Sequence, residues 1–411
     1  MNEAARARIA AFLAQPALAR LLAALNGGGE ATRVVGGAVR NLLLGEAASD
    51  IDLATTALPQ ETIRRGRAAG FKAVPTGIDH GTVTLVAGGT SFEVTTLRQD
   101  VETDGRRARV VFGRDFAADA TRRDFTINAL GLDPEGAVHD YCGGLADLAA
   151  RRVRFIGDAA SRIREDYLRI LRFFRFHARY GAGAPDAEGL AACIAGRGGL
   201  PGLSRERVRA EVMKLLIAPG AAATLQAMAG AGLLVPVIGG VPHLSRFAAV
   251  ARDSGENVYP AFRLAALAVA VREDALRLRE RLRLSNEEFD RIERIARAME
   301  RLRGRAGLPA IATLRHVAHE AGSDAAAAAL VLQTVSAEGK GRGVVQELIG
   351  ELVLTPAFLP TGKDVIRLGI SPGPRVRQAL EAARRGWIEA GCPAGADEQM
   401  AFVRAAVAAA P

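Results

Sequence analysis

Residues 34–56 read V-V-G-G-A-V-R-N-L-L-L-G-E-A-A-S-D-I-D-L-A-T-T. Apolar Val34 and Val35 predict the end of a strand, Gly36-Gly37 a turn, Val39 to Leu44 a short helix and Ser49 to Ala54 a second strand. In an alternating strand Ile51 and Leu53 share one face, and Asp50 and Asp52 share the other. Two carboxylates on one face can reach one divalent cation, and oxygen ligands of this kind suit Mg2+. Gly36-Gly37 lets the backbone approach a phosphate, and the N–H groups opening the next helix favour an anion. Arg40 adds a guanidinium that matches phosphate oxygens. The stretch predicts a site for phosphate and metal.

The 411-residue chain has a net charge of +9 and a pI near 10.1, a balance that favours a polyanion such as RNA. Only Lys72, Lys214, Lys340 and Lys363 are lysines among 54 basic residues, so the arginine excess also fits codon bias. Aromatics make up 5% of the chain, with abundant Ala and Gly, as expected of a helix-rich protein. Cys142, Cys193 and Cys392 are widely spaced and lack metal-ligand spacing. They read as reduced thiols of a cytoplasmic protein. No apolar run reaches the roughly 18 residues of a membrane span. The Arg-bearing amphipathic N-terminus, through Leu25, reads as a helix packed on the first domain, although a targeting presequence has similar composition.

Further along, Glu61 to Ala69 predicts a helix. Phe71 to Val74, Thr82 to Ala87 and Ser91 to Thr96 predict strands, the last two joined by a Gly88-Gly89 hairpin turn. Thr103 to Arg109 reads as a polar loop, Thr126 to Leu132 as a strand or helix start, and Val138 to Tyr141 as a final strand. Beyond Ala159 helical patterns follow one another, broken at Gly181–Pro185, Gly196–Gly202, Pro219-Gly220, Gly239-Gly240, Gly304–Pro309 and Pro356–Gly362. Ser204 and the Ser285-to-Glu288 capping box mark helix starts. The expected class is α+β, a small mixed α/β domain over residues 1–150 followed by helices alone.

A phosphoryl-transfer centre built on paired metals needs a further carboxylate near the first two. Glu93 supplies one, lying between apolar Phe92 and Val94 on a predicted strand. Arg122-Arg123-Asp124, followed by Asn128, offers groups for a phosphate and a ribose hydroxyl, or else a salt-bridged helix start. In the stretch from Arg164 to Phe176, a continuous helix places Glu165 and Asp166 beside Arg169, with Arg172 and Arg175 further along. A carboxylate beside a guanidinium presents acceptors and donors in one plane, as reading a base edge requires. The similar Arg272-Glu273-Asp274 with Arg277 reads as a solvated face. His316 and His319 are spaced for a helix surface more than for a metal site. Lys363, Arg375, Arg377, Arg384, Arg385 and Trp387 make a candidate basic patch for RNA or a solvated face.

The order G-G-A-V-R, D-I-D-L-A-T, H-G-T-V-T, F-E-V-T-T-L-R, R-R-D-F-T-I-N-A-L, E-D-Y-L-R and S-R-E-R-V-R-A-E-V-M-K, across residues 30 to 217, resembles the class II tRNA nucleotidyltransferase and bacterial poly(A) polymerase family. The resemblance implies a nucleotidyltransferase head (1–150), a helical neck selecting the base (151–235), a helical body (236–345) and a tRNA-binding tail (346–411). It implies template-free addition of C, C and A to a tRNA 3′ end from CTP and ATP, with the acceptor stem and elbow as partner surfaces and neither DNA nor a membrane. Carried onto this chain, Asp50 and Asp52 would hold Mg2+ with Glu93 nearby as the third catalytic carboxylate. Gly36, Gly37, Arg40, Arg123, Asp124 and Asn128 would surround the nucleotide. Glu165, Asp166, Arg169, Arg172 and Arg175 would read and hold it, and Arg207, Glu211 and Lys214 would brace the neck. Asn41 departs from the family, which has Asp after Val-Arg. Rival readings are a poly(A) polymerase, an enzyme adding only CC or only A, and a non-catalytic RNA-binding relic.

Overall fold

The computed structural model describes residues 3–48, 50–104, 107–253, 259–304, 307–334 and 342–409. Ser49, Gly105, Arg106 and residues 305–306, all within expected elements or breaks, lie outside them. The chain divides into two compact units, 1–203 and 204–411. The four segments expected from sequence are finer than this division.

The first unit opens with α1 (Glu3–Leu13) and α2 (Pro16–Leu25). They bury Ile9, Phe12, Leu18, Leu21, Leu22 and Leu25, and Arg8 Nε donates to Leu42 O at 3.1 Å. The single amphipathic segment expected here is thus two packed helices, bent by 78° at the break. Among the described residues no single helix is long and apolar enough to cross a membrane.

The sheet follows. Its strands are β1 (Thr32–Val35), β2 (Ile51–Thr55), β3 (Lys72–Gly77), β4 (Thr82–Ala87) and β5 (Thr90–Thr96), then the separate ribbon β6 (Arg98–Asp104) with β7 (Arg107–Phe112), then β8 (Leu130–Leu132) and β9 (Val138–Asp140). The seven-stranded sheet runs β3-β4-β5-β2-β1-β8-β9. Only the β2–β5 pairing is parallel; the others are antiparallel. Gly88 and Gly89 both have positive φ, at 58° and 80°, and form the expected β4–β5 turn. Of the expected 103–109 loop, the described residues on either side of Gly105 and Arg106 are ladder, with Thr103 opposite Ala108 and Asp104 opposite Arg107.

Three helices pack around this sheet: α3 (Gly37–Leu44), α4 (Pro59–Ala68) and α5 (Phe116–Thr121). α3 ends at Gly45, whose φ of 80° is the left-handed cap that glycine accepts without strain. After the sheet come α6 (Gly144–Ala149), α7 (Ala159–Glu165), α8 (Leu168–Tyr180) and α9 (Ala187–Ala195). α8 buries Leu168, Ile170, Leu171, Phe173, Phe174 and Phe176 on one side. Phe173 stacks on Phe155 at 5.4 Å between centroids, and Phe125 sits 4.9 Å from Phe155 and 5.2 Å from Phe176. Each such ring contributes roughly 1.5–3 kcal/mol of apolar burial. This aromatic core seats α8 against the segment that follows α5.

Asp147, on α6, is a fully buried carboxylate that the sequence reading passed over. It accepts from Thr126 Oγ1 at 2.6 Å, Arg152 Nε at 2.8 Å and Arg154 Nε at 3.0 Å. Burial opposes its charge, yet these donors hold its pKa below the ordinary carboxylate value.

The second unit, described by itself, has helices as its only regular elements among its described residues. Its elements are α10 (Arg205–Leu216), α11 (Ala221–Gly230), α12 (Val235–Ile238), α13 (Leu244–Asp253), α14 (Pro260–Ala268), α15 (Arg272–Leu282) and α16 (Asn286–Leu302). They continue with α17 (Ile311–Ala321), α18 (Ser323–Thr334), α19 (Arg342–Val353), α20 (Gly362–Arg367), α21 (Pro374–Glu389) and α22 (Ala396–Ala408). Ser204 Oγ caps α10 through Arg207 N at 3.4 Å. Ser285 and Glu288 form the expected capping box of α16, at 3.2 and 2.7 Å. Glu211 is buried on α10, whereas Arg207 and Lys214 are exposed.

Two expectations change here. The Arg272–Arg277 segment is solvated only in part: Arg272, Glu273 and Leu276 are exposed, but Asp274 accepts from Ala270 N and Val271 N at 2.7 and 3.0 Å, capping α15. Arg277 pairs with it and donates to Ala268 O at 3.0 Å. Trp387 is fully buried and donates to Pro393 O at 2.8 Å, so it belongs to the core and not to an RNA surface. Lys363, Arg375, Arg377, Arg384 and Arg385 are exposed. His319 packs edge-on against Trp387 at 4.7 Å, while His316 faces Glu320 at 3.4 Å.

Replacing Asp147 by Ala leaves Arg152 and Arg154 without their shared carboxylate and removes a buried hydrogen bond. Both guanidiniums are partly exposed and can rehydrate, so the expected loss of stability is about 2 kcal/mol, read by urea unfolding of the full chain at neutral pH. Because the folded pKa of Asp147 is lowered, its contribution is present above the unfolded carboxylate pKa of about 3.9 and is lost as pH falls through the folded value. The gap between wild type and variant should therefore narrow in acid.

Candidate active site

β1 runs into Gly36, the N-cap of α3, at φ 74° and ψ −129°. That conformation belongs to glycine. A Cβ built there would lie 2.9 Å from Arg123 Nη1, so the guanidinium of Arg123 rests directly on the turn.

On the neighbouring strand, Ile51 and Leu53 are buried and Asp52 is exposed, as alternation requires. β2 begins at Ile51, so Asp50 occupies the bend just before it. Its position is set by that bend and not by strand alternation. Glu93 is the direct register partner of Asp52 in the parallel β2–β5 pair. Adjacent strands lie about 4.8 Å apart, so the two carboxylates stand side by side on one face.

The electrostatics follow from this placement. The pKa of Asp52 is raised, first by desolvation and then by the Glu93 charge, with Asp50 adding a smaller push and Arg123 opposing it. The side chain remains open to solvent, and protein on its flanks supplies the desolvation. Repelling carboxylates of this kind are relieved by a cation. Among the described residues no three His, Cys, Asp or Glu side chains gather tightly enough to cage a metal by themselves. An ion here would complete its shell from water and phosphate oxygens, the habit of Mg2+.

The next layer is a hydrogen-bonded chain. Asp124 accepts from Arg172 Nε at 2.8 Å and Nη2 at 2.5 Å through one oxygen. Its other oxygen takes Phe125 N at 2.9 Å and Asn128 Nδ2 at 3.1 Å. Asn128 Oδ1 in turn accepts from Arg40 Nη1. Arg40 is buried, donates to Tyr180 OH at 2.7 Å and lies 3.9 Å from the Tyr180 ring centroid. Desolvation lowers its pKa; arginine still keeps its charge. Asn41 Oδ1 accepts from Arg40 Nη2 at 2.9 Å, so an amide stands beside this buried cation. Asp124 is held below the usual carboxylate range against the pull of desolvation, by Arg172 above all.

The helix expected across Glu165–Arg175 is broken. α7 ends at Glu165, Asp166 is extended (φ −157°, ψ 107°), and α8 starts at Leu168. Asp166 Oδ1 accepts from Leu168 N at 3.1 Å, at the opening of α8. The break gives Arg169 its visible partners: the Glu165 carboxylate and Arg162 O at 2.6 Å. Glu165 also accepts from Arg162 Nη1 at 2.8 Å, and Arg162 Nη2 donates to the carbonyls of Arg122 and Arg123. Arg175 lies over Phe176, 4.2 Å from the ring centroid.

Residues 32–154 match the Poly A polymerase head domain family. The chain is 34% identical over 380 residues to CCA tRNA nucleotidyltransferase 1, mitochondrial, of Mus musculus, covering 90% of this chain and 86% of that protein. The chain belongs to the CCA tRNA nucleotidyltransferase family. A solved CCA-adding enzyme of Bacillus stearothermophilus in complex with CTP is 27% identical, with a TM-score of 0.73 over 95% of this chain and 98% of that one. The Thermotoga maritima CCA-adding enzyme complexed with tRNA shares the fold at TM-score 0.72 and 20% identity, over 98% of both chains.

Within this family member, the structure brings Gly36, Arg123, Asp52 and Glu93 together, and links Arg40, Asn128, Asp124 and Arg172 into one network. Two participants were missed in the sequence. Asp119 accepts from both Arg122 and Arg123; its spacing of three and four residues on a helix was the available signal. Tyr180 meets Arg40 across 140 residues of chain, and no local pattern announces that contact.

Gly36→Ala and Gly45→Ala both force an L-residue to positive φ, so both should lower the melting temperature. A Cβ at Gly45 meets nothing closer than 3.7 Å. Only Gly36→Ala should also displace Arg123 and weaken CTP binding, measured by titration calorimetry. Equal CTP affinity in the two variants would exclude a nucleotide role for the turn.

Proposed function

We propose that this chain is a template-independent CCA tRNA nucleotidyltransferase, adding C, C and A to tRNA 3′ ends from CTP and ATP. The observation that carries the chemistry is the Asp52–Glu93 register pair, facing a guanidinium that rests on a glycine turn. Family membership carries the substrate class. In the reaction the terminal 3′ oxygen of the tRNA bonds to the α-phosphorus of the nucleotide. The bond from that phosphorus to the bridging oxygen breaks, and pyrophosphate leaves. Asp50 and Asp52, with Glu93 beside them, would hold Mg2+, which supplies charge neutralisation for the phosphates and activation of the attacking hydroxyl. The Gly36-Gly37 turn and Arg123 hold the triphosphate. Asp124 lies where it can meet a ribose hydroxyl, braced by Arg172, and Arg40 with Asn128 fixes the floor beneath.

Base choice falls to the break between α7 and α8. Asp166 and Arg169 present acceptor and donors to the base edge, with Arg169 oriented by Glu165 and by the Arg162 carbonyl. Arg172 and Arg175 add positive charge beside the nucleotide. Exposed arginines of α21 contribute a surface for tRNA phosphates, which position the substrate without reading sequence. Among the described residues the cysteines are free thiols, which suits the cytoplasm.

The deciding experiment offers tRNA lacking its CCA end, with CTP and ATP given separately and together. Three added residues, C-C-A, followed by arrest, support the assignment. Open-ended A addition would move it to a poly(A) polymerase, CC alone or A alone to a partial enzyme, and no addition to a relic. Asp52→Ala should abolish incorporation while tRNA binding, measured by gel shift, stays within about twofold of wild type; retained turnover would remove Asp52 from the chemistry. Arg169→Ala should blur the choice between C and A in single-turnover assays. Unchanged selectivity would place base reading elsewhere.

A further inference from the structure

Asp119, on α5, is buried to 3% exposure, and the proposed reaction assigns it no task. A buried carboxylate requires partners. This one accepts from Arg122 Nη2 at 2.6 Å and Nε at 2.7 Å through Oδ1, and from Arg123 Nη2 at 3.3 Å through Oδ2.

The consequence falls on Arg123. Its backbone is already anchored, because Arg162 donates to the carbonyls of Arg122 and Arg123. Its side chain is long and has much rotamer freedom to lose. Asp119 takes one Nη group, and Asn128 O takes the other at 3.4 Å. Held between them, the guanidinium sits in the space that a side chain on Gly36 would fill. Both contacts are long. Charge-assisted bonds to a phosphate are shorter, near 2.7–2.9 Å, so an arriving anion has stronger bonds to offer. Asp119 also balances one of the two neighbouring arginines and spends its closer bonds on Arg122. The pair keeps a net positive charge, directed through Arg123.

We propose that Asp119 is a positioning residue: it holds Arg123 over the Gly36-Gly37 turn, where the guanidinium meets the phosphates of incoming CTP or ATP. The proposal rests on the nucleotidyltransferase reading given above. It predicts a defect in nucleotide binding common to CTP and ATP, with base choice and tRNA affinity intact.

The test is a double-mutant cycle on CTP affinity, measured by calorimetry on the full chain. Asp119→Asn should weaken CTP about tenfold and raise KM for CTP and ATP alike, with tRNA affinity unchanged. Asp119→Glu should recover part of the loss. Asp119→Asn added to Arg123→Ala should cost nothing further, since the two residues act as one unit. Unchanged CTP affinity in Asp119→Asn, or additive losses in the double variant, would overturn the proposal. If Asp119→Asn does not fold, Asp119→Glu carries the test: it should weaken CTP several-fold, with no further loss when added to Arg123→Ala, and wild-type CTP affinity in Asp119→Glu overturns the proposal. A wild-type chain that binds CTP but extends no tRNA would defeat the functional reading while leaving the binding cycle interpretable.

Discussion

The Asp124–Arg172 ion pair is the constraint on which the candidate site depends. Asp124 is nearly enclosed, with 10% of its side chain exposed, so its charge is tolerated only with donors on every side. Arg172 supplies two from α8, and Asn128 and the Phe125 amide supply the rest. Asn128 then passes the constraint to Arg40, and Arg40 to Tyr180 at the far end of α8. The chain of bonds starts and ends on one helix and passes through the helix that follows the glycine turn. Together with the clustered phenylalanines it fixes α8 against α3 and the segment that follows α5.

A second constraint works in the opposite sense. Parallel pairing of β2 with β5 sets Asp52 beside Glu93, and desolvation, with that repulsion added, raises the Asp52 pKa. Arg123 offsets part of it. A pair of like charges kept adjacent by a rigid sheet is a local conflict with stability, and such conflicts concentrate where a protein binds or reacts. The glycine at φ 74°, the buried arginine and the clustered carboxylates all fall within the first unit.

How far the site could be read beforehand depended on the range of each interaction. The Gly36 turn, the outward Asp52 and the Gly88-Gly89 hairpin are set by neighbours in sequence, and each stands where periodicity placed it. The Glu165–Arg169 pairing was also legible, since it spans four residues. The helix around it is not continuous: Asp166 turns extended, and a new helix starts at Leu168. Asp274 and Arg277 show the converse failure. Their spacing looks solvated, but Asp274 reaches back to the amides of Ala270 and Val271 just before α15, and Arg277 finds a carbonyl on the preceding helix. Trp387, counted with basic neighbours, turned inward because its ring is worth more in the core.

The sequence by itself determined the parts: the strand-turn-helix-strand of residues 34–56, the order of the motifs, the passage from mixed structure to helices, and through these the family resemblance. These follow from periodicity, glycine conformation and residue chemistry, all local properties. Tertiary structure alone decided the partners: the register that sets Glu93, already expected nearby, directly opposite Asp52, Arg172 on Asp124, Tyr180 against Arg40, Arg123 on Gly36. Such pairings join segments separated by tens of residues or more. They are selected by sheet register and by the requirement that every buried charge find a donor, conditions satisfied only once the chain has closed on itself.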